Sequence, residues 1–260
     1  MIRYKQKMKF PASIIFGLVL FSCTSQKVQY QYTFDKDIGD LHPTSHKNPW
    51  AYQLDSSVVR SGKKSIRFEV RKGDYRISKS GSKSSRAELS TEKMAEIGNE
   101  YWYALSMFIP EDFPIEDNRL VLAQWWAEPD LGEYSDRSPI LAMRFRNGKF
   151  YISLRTSSEK IMKENGKEIV LYESTDFALG KWKDFIFQIK WSYKNDGLVN
   201  TWINNNQIIQ YNGPVGYNDK NGPALQFGIY RDETKKTYVV YFDEVKMGTS
   251  KAISIDSVTF

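Results

Sequence analysis

The sequence is poor in the residues that build metal centres and cross-links, with one cysteine and two histidines in 260 residues. A single cysteine excludes a disulfide scaffold, a zinc ribbon and a cysteine-held iron–sulfur cluster. Two histidines, His42 and His46, exclude a histidine-rich metal centre. No long run of lysine and arginine forms a basic stripe, which argues against a nucleic-acid partner. No linker divides the chain after its first residues, no internal repeat recurs, and few segments have helical periodicity.

What is present is a core-forming composition. Hydrophobic residues make up 41% and charged residues 26%, which excludes a disordered chain. Aromatics reach 15%, with 16 Tyr, 15 Phe and 7 Trp, a bias toward strands.

The N-terminus reads as an export signal. Arg3, Lys5, Lys7 and Lys9 precede a short apolar run from Phe10 to Phe21. The run is too short for a membrane span. Leu20-Phe21-Ser22-Cys23 is similar to a bacterial lipoprotein cleavage box, with Phe21 bulkier than such boxes carry. This predicts a signal peptide over 1–22, lipidation at Cys23, a tether over 23–27 and one domain over 28–260. Losing 1–22 lowers the basic count from 37 to 33 against 31 acidic residues, so the formal charge falls from +6 to +2. An acidic partner would then be held by a few placed arginines rather than by bulk charge.

From Val28 onward, apolar and polar residues alternate in short runs, the pattern of strands with one buried face. Examples are SIRFEVR from Ser65, YWYALSMFI from Tyr101, LVLAQWW from Leu120 and LQFGIYR from Leu225. Asn147-Gly148, Asp196-Gly197 and Asn204-Asn205-Asn206 supply turns. More than ten such runs without a linker predict an all-β sandwich or jelly roll. Ser90–Gly98 is the one stretch read as a short helix, and residues 73–85 as a loop at a groove edge.

Three strands carry polar residues out of phase with their core neighbours. In Ser85–Ser90, Ala87 and Leu89 share one face and Arg86 and Glu88 the other. In Leu120–Trp126, Gln124 shares a face with Trp126. In Leu225–Arg231, Phe227 and Ile229 face the core, leaving Gln226, Gly228 and Tyr230 opposite, with Gly228 expected to leave room beside Tyr230. Arg144, between Met143 and Phe145, and Arg155, beside Leu154, are out of phase in the same way.

Together these runs resemble the polysaccharide lyases of jelly-roll (concanavalin-like) fold, the heparin lyase I-like and glucuronan lyase group. The resemblance covers most of residues 28–250. It rests on Ser85-Arg86-Ala87-Glu88-Leu89, Glu100-Tyr101-Trp102-Tyr103, Gln124-Trp125-Trp126, Gly180-Lys181-Trp182, GLVNTWIN from Gly197, Gly228-Ile229-Tyr230-Arg231 and Tyr241-Phe242-Asp243. It implies two antiparallel sheets with a concave groove for an acidic polysaccharide, and cleavage of a 4-linked uronate by β-elimination. Tyr230, Gln124, Arg86 and His46 are then the catalytic candidates. Glu88, Trp126, Arg144, Arg155 and Gln226 are the substrate-binding candidates. Gln226 stands where related lyases often carry lysine, which leaves the subsite chemistry open. The resemblance also implies a structural Ca²⁺, for which Asp35, Asp37 and Asp243 are the oxygen donors to consider. Catalysis needs no cofactor in this scheme.

The chemistry suits these residue types. A C5 proton is weakly acidic, so its removal requires the neighbouring carboxylate to be neutralised or hydrogen-bonded. Gln124 and Arg86 can do that, and Tyr230 or His46 can move protons. Two other readings compete. A glycoside hydrolase would need paired carboxylates, and Glu96-Ile97-Gly98-Asn99-Glu100 is a poor fit. A non-catalytic sugar-binding lipoprotein could use Trp125, Trp126 and Tyr217 as stacking surfaces. The expected protein is a monomer held to a bacterial envelope membrane by lipid alone.

Overall fold

The structure is a computed structural model that describes residues 28–44, 48–77, 81 and 83–249. Among the described residues there are seventeen strands and no helix. In chain order they are β1 (Val28–Tyr32), β2 (His42–Pro43), β3 (Tyr52–Asp55), β4 (Ser65–Val70), β5 (Arg76–Ile77) and β6 (Lys83–Ser90). The middle of the chain gives β7 (Glu100–Phe108), β8 (Leu120–Trp126), β9 (Leu141–Arg146), β10 (Lys149–Ser157), β11 (Lys167–Ser174) and β12 (Trp182–Lys190). The last are β13 (Leu198–Ile203), β14 (Asn206–Asn212), β15 (Gly216–Tyr217), β16 (Ala224–Asp232) and β17 (Tyr238–Gly248).

The strands form two packed sheets, a jelly-roll sandwich. One sheet runs β14-β13-β12-β7-β17-β4-β3, with β1 added beside β17. The other runs β11-β10-β9-β8-β16-β6-β2, with β5 beside β6 and β15 beside β10. All ladders are antiparallel except the two-residue contact of β15 with β10. The predicted turns form as expected: Asn147 and Gly148 both take positive φ between β9 and β10, as do Asn204 and Asn205 between β13 and β14.

Aromatic side chains from the two sheets interlock in the core. Trp125 of β8 packs 4.7 Å from Phe187 of β12 and 5.3 Å from Tyr103 of β7. Phe68 of β4 meets Phe227 of β16 edge-on at 5.8 Å. Such offset and edge contacts are the favoured aromatic geometry. The core side of each strand is thereby fixed, and so is the opposite side of the second sheet, where the polar residues gather.

Two local expectations fail. Residues 91–98 are irregular rather than helical: Glu92 takes a positive φ, and the Thr91 and Ala95 N–H groups bond to the carbonyls of Leu225 and Pro223 instead of to a helical turn. The stretch 73–85 is not all loop, because Arg76–Ile77 pairs with β6, which begins at Lys83.

Candidate active site

Alternation on the second sheet aligns a row of groove-facing residues across five strands. Arg86 on β6 pairs with Tyr230 on β16, Tyr230 with Val121 on β8, Val121 with Arg144 on β9, and Arg144 with Tyr151 on β10. Four inter-strand steps make this row about 19 Å long. A second row runs beside it: Ser90, Gln226, Gln124, Ala142 and Ser153. The first row, with Gln226 and Gln124 of the second, lines a cleft of about 480 Å³ that also takes in Trp126, Arg76, Arg119, Arg137, Arg146 and Arg155.

Seven arginines and two acids, Asp136 and Glu168, line this cleft. Most of the arginines are already committed. Arg119 bonds Asp232, Arg146 bonds Asp117, and Arg155 pairs with Glu168 at 3.2 Å while bonding the Gly166 carbonyl. Arg137 is completely buried between Glu133 and Asp219 and donates to the carbonyls of Ala127 and Glu128, which fixes the loop walling one end of the cleft.

Arg144 differs. It is buried at 7% exposure, and its side-chain hydrogen bond goes to the neutral Ser153 hydroxyl at 2.9 Å. Among the described residues no carboxylate forms an ion pair with it. Burial pulls its pKa down, with Tyr151 and Glu168 acting in the opposite sense. A buried guanidinium without a counter-charge is costly unless something anionic completes it.

Tyr230 sits between two cations. The Arg86 guanidinium lies 4.2 Å from its ring centre and that of Arg119 4.8 Å. Gln124 is buried and donates from Nε2 to Glu88 Oε1 at 2.6 Å and toward Gln226 Oε1 at 3.4 Å. Burial raises the pKa of the Glu88 carboxyl, opposed by Arg86, by the Gln124 hydrogen bond and by Arg76.

Sequence matches decide the family. Residues 31–246 match the family described as polysaccharide lyase, which is most of the chain. The chain belongs to the polysaccharide lyase family. No curated protein sequence matches the lyase significantly. Its fold is similar to that of an endo-β-1,4-glucuronan lyase from the fungus Trichoderma reesei, at 17% identity and TM-score 0.69, covering 86% of this chain and 96% of that one. It is also similar to an alginate lyase of polysaccharide lyase family 7, at 14% identity and TM-score 0.52, covering 79% and 85%. A marine alginate lyase from Aplysia kurodai matches at 14% identity and TM-score 0.50, covering 77% and 87%. At these identities the likenesses establish the jelly-roll fold alone.

Of the sequence candidates, Tyr230, Gln124, Arg86, Trp126, Arg144, Arg155 and Gln226 all line this cleft. Glu88 lies beneath it, fully buried, and supports Gln124 instead of presenting itself to a ligand. His46 and Cys23 fall outside the described residues. Trp125 and Tyr217 are core residues, at 0% and 1% exposure, so neither is a stacking surface. Gly228 does not make room for a ligand: a Cβ there would lie 2.2 Å from the Ala87 carbonyl oxygen, so the space is filled by strand β6. The residues missed were Arg76, Arg119, Arg137, Arg146 and Tyr151.

Each calcium candidate accepts hydrogen bonds from backbone amides. Asp35 accepts the Lys63 and Lys64 N–H groups, Asp37 that of Gly39, and Asp243 those of Arg60, Ser61 and Glu244. Among the described residues no three acidic, histidine or cysteine side chains gather to hold a metal ion.

Proposed function

We propose that this lyase cleaves a 4-linked uronate in an acidic polysaccharide by β-elimination. The observation that carries the reading is Arg144, a buried guanidinium at the floor of the cleft with no acid paired to it among the described residues. A substrate carboxylate is the partner it lacks. The neighbouring arginines extend the positive field to the carboxylates of flanking sugars. The glucuronan and alginate lyases that share the fold agree with an acidic substrate.

The chemical step then needs three roles. Arg144 and Gln124 bind the carboxylate at C5 and stabilise charge as the C5–H bond breaks. Tyr230 oxygen receives that proton, and a proton from Tyr230 passes to O4 as the C4–O4 bond breaks. The C–H electron pair becomes the C4=C5 double bond, and Tyr230 ends as it began. Arg86 and Arg119 face the Tyr230 ring and stabilise negative charge that develops on it during transfer.

A panel of glucuronan, alginate, ulvan and glycosaminoglycan substrates, followed by the ultraviolet absorbance of the conjugated uronyl end, tests this. A lyase creates that absorbance, a hydrolase releases reducing ends without it, and a binding protein does neither. The reading includes export and anchoring through Cys23, so Cys23→Ala should release the protein from membranes.

A further inference from the structure

Gln124 has two amide protons, and both point at protein acceptors, Glu88 Oε1 at 2.6 Å and Gln226 Oε1 at 3.4 Å. An amide so committed has only its carbonyl oxygen to offer, and that oxygen repels a uronate carboxylate. Glu88 forms an ion pair with Arg86 that lacks hydrogen-bond geometry. It is fully buried, its Oε2 has no hydrogen-bond partner, and neither has the Arg86 Nε that lies 3.2 Å from it. Amide nitrogen and oxygen have the same shape, so exchanging them leaves the packing unchanged.

We propose that Glu88 is held as a neutral carboxylic acid that donates its proton to the Gln124 amide oxygen, turning the Gln124 NH₂ group toward the substrate carboxylate. Gln226 completes the chain by donating its own amide N–H to the same oxygen. Glu88 is a positioning residue: it touches Gln124 and not the sugar. The inference rests on the β-elimination reading above.

The surroundings hold the proton in place. Desolvation favours the neutral acid. The charges that oppose it are Arg86 on the same strand and Arg76 on β5. Strand β16 offers Gly228 directly opposite and Tyr230 two pairs further on, while β8 offers only the neutral Gln124. On the β2 side His42 is engaged with Glu92, and the Thr44 N–H bonds the Glu88 carbonyl rather than its side chain.

The test compares E88Q with E88A. E88Q keeps an N–H donor for the Gln124 oxygen at every pH. It should retain kcat/KM within about threefold of the parent at neutral pH. E88A leaves Gln124 unsupported and should lose at least about tenfold, the effect of one buried hydrogen bond. An NMR titration of the Glu88 carboxyl in the intact protein should show its proton kept through neutral pH. The proposal is overturned if that titration finds an ionised Glu88. It is equally overturned if E88Q is as defective as E88A at an unchanged melting temperature. Should the parent produce no unsaturated ends from any polyuronide, the elimination reading fails, and the titration still decides the state of Glu88.

Discussion

The Arg86 guanidinium lies 4.2 Å from the centre of the Tyr230 ring, and the two residues are direct partners across the β6–β16 ladder. Arg119 reaches the same ring from the turn before β8 and is itself held by Asp232. The ring contacts do not involve its hydroxyl, which separately accepts a hydrogen bond from Arg119. Tyr230→Phe keeps both cation–π contacts and removes only the group proposed to move protons. Turnover should fall at least about 10²-fold, the lower range of general acid–base effects, with KM and melting temperature nearly unchanged. Near-normal turnover would transfer the proton chemistry to another group, His46 first.

Arg144 should show a conflict between stability and binding. Its guanidinium is buried with Ser153 as its hydrogen-bond partner, and among the described residues it has no ion-paired carboxylate. Arg144→Met fills similar space without that charge. The variant should be more stable than the parent by about 1 kcal/mol or more in denaturant unfolding. It should also bind polyuronide at least about tenfold more weakly, with a shallower dependence on salt. Loss of stability in the variant would mean that internal contacts already satisfy Arg144.

Much of this site was legible from period-two alternation alone. Once Met143 and Phe145 are assigned to the core, Arg144 and Arg146 must share the other face. Once Phe150, Ile152 and Leu154 are assigned to it, Tyr151, Ser153 and Arg155 must oppose them. Arg146 and Tyr151 could have been found by the argument that found Arg144. Arg137 could not, because it sits on an irregular loop whose position depends on Asp219, 82 residues away. The same limit applies to Arg119, whose contact with Tyr230 depends on how the turn before β8 meets β16. The error at Gly228 is of another kind. Sequence shows that a side chain is missing but not which neighbour occupies the space, and here it is the backbone of β6.

Away from the cleft, Asp243 predicts a pH dependence of stability. It is fully buried on β17, and its carboxylate accepts the N–H groups of Arg60, Ser61 and Glu244. Burial outweighs those bonds and raises its pKa to about 6. An unfolded aspartate loses its proton near about 3.9. Between those values the folded state holds a proton that the unfolded state has released, so this residue's contribution to stability falls as pH rises through the window. The loss is at most about 3 kcal/mol. Asp243→Asn has no proton to lose. The stability of the parent relative to this variant should therefore drop between about pH 4 and pH 6 and then level off. A constant difference across that range would show that Asp243 ionises normally.

Gly228 gives the last prediction, because it joins the fold to the chemistry. Its φ is +133°, a conformation open to glycine and strained for any residue with a Cβ. It lies where the ladder to β8 shifts, with Phe227 opposite Ala123 and Tyr230 opposite Val121, so that β16 uses three residues to span two of β8. On its other side it pairs directly with Glu88. A Cβ at this position would come within 2.2 Å of the Ala87 carbonyl oxygen, 2.9 Å of the Glu88 Cα and 3.0 Å of the Phe68 ring. Two of those neighbours are backbone in the middle of a sheet and cannot turn aside as a side chain would. Gly228→Ala should then cost about 3 kcal/mol or more in unfolding free energy, from backbone strain together with the displaced strand. It should also reduce turnover well below the melting temperature, because the displaced residue is Glu88, the support of Gln124. Circular dichroism melts and initial rates on one polyuronide, taken on the same preparation, measure both effects. A variant as stable as the parent would show that β6 can move away, and the bulge would no longer account for how Gln124 and Tyr230 are placed.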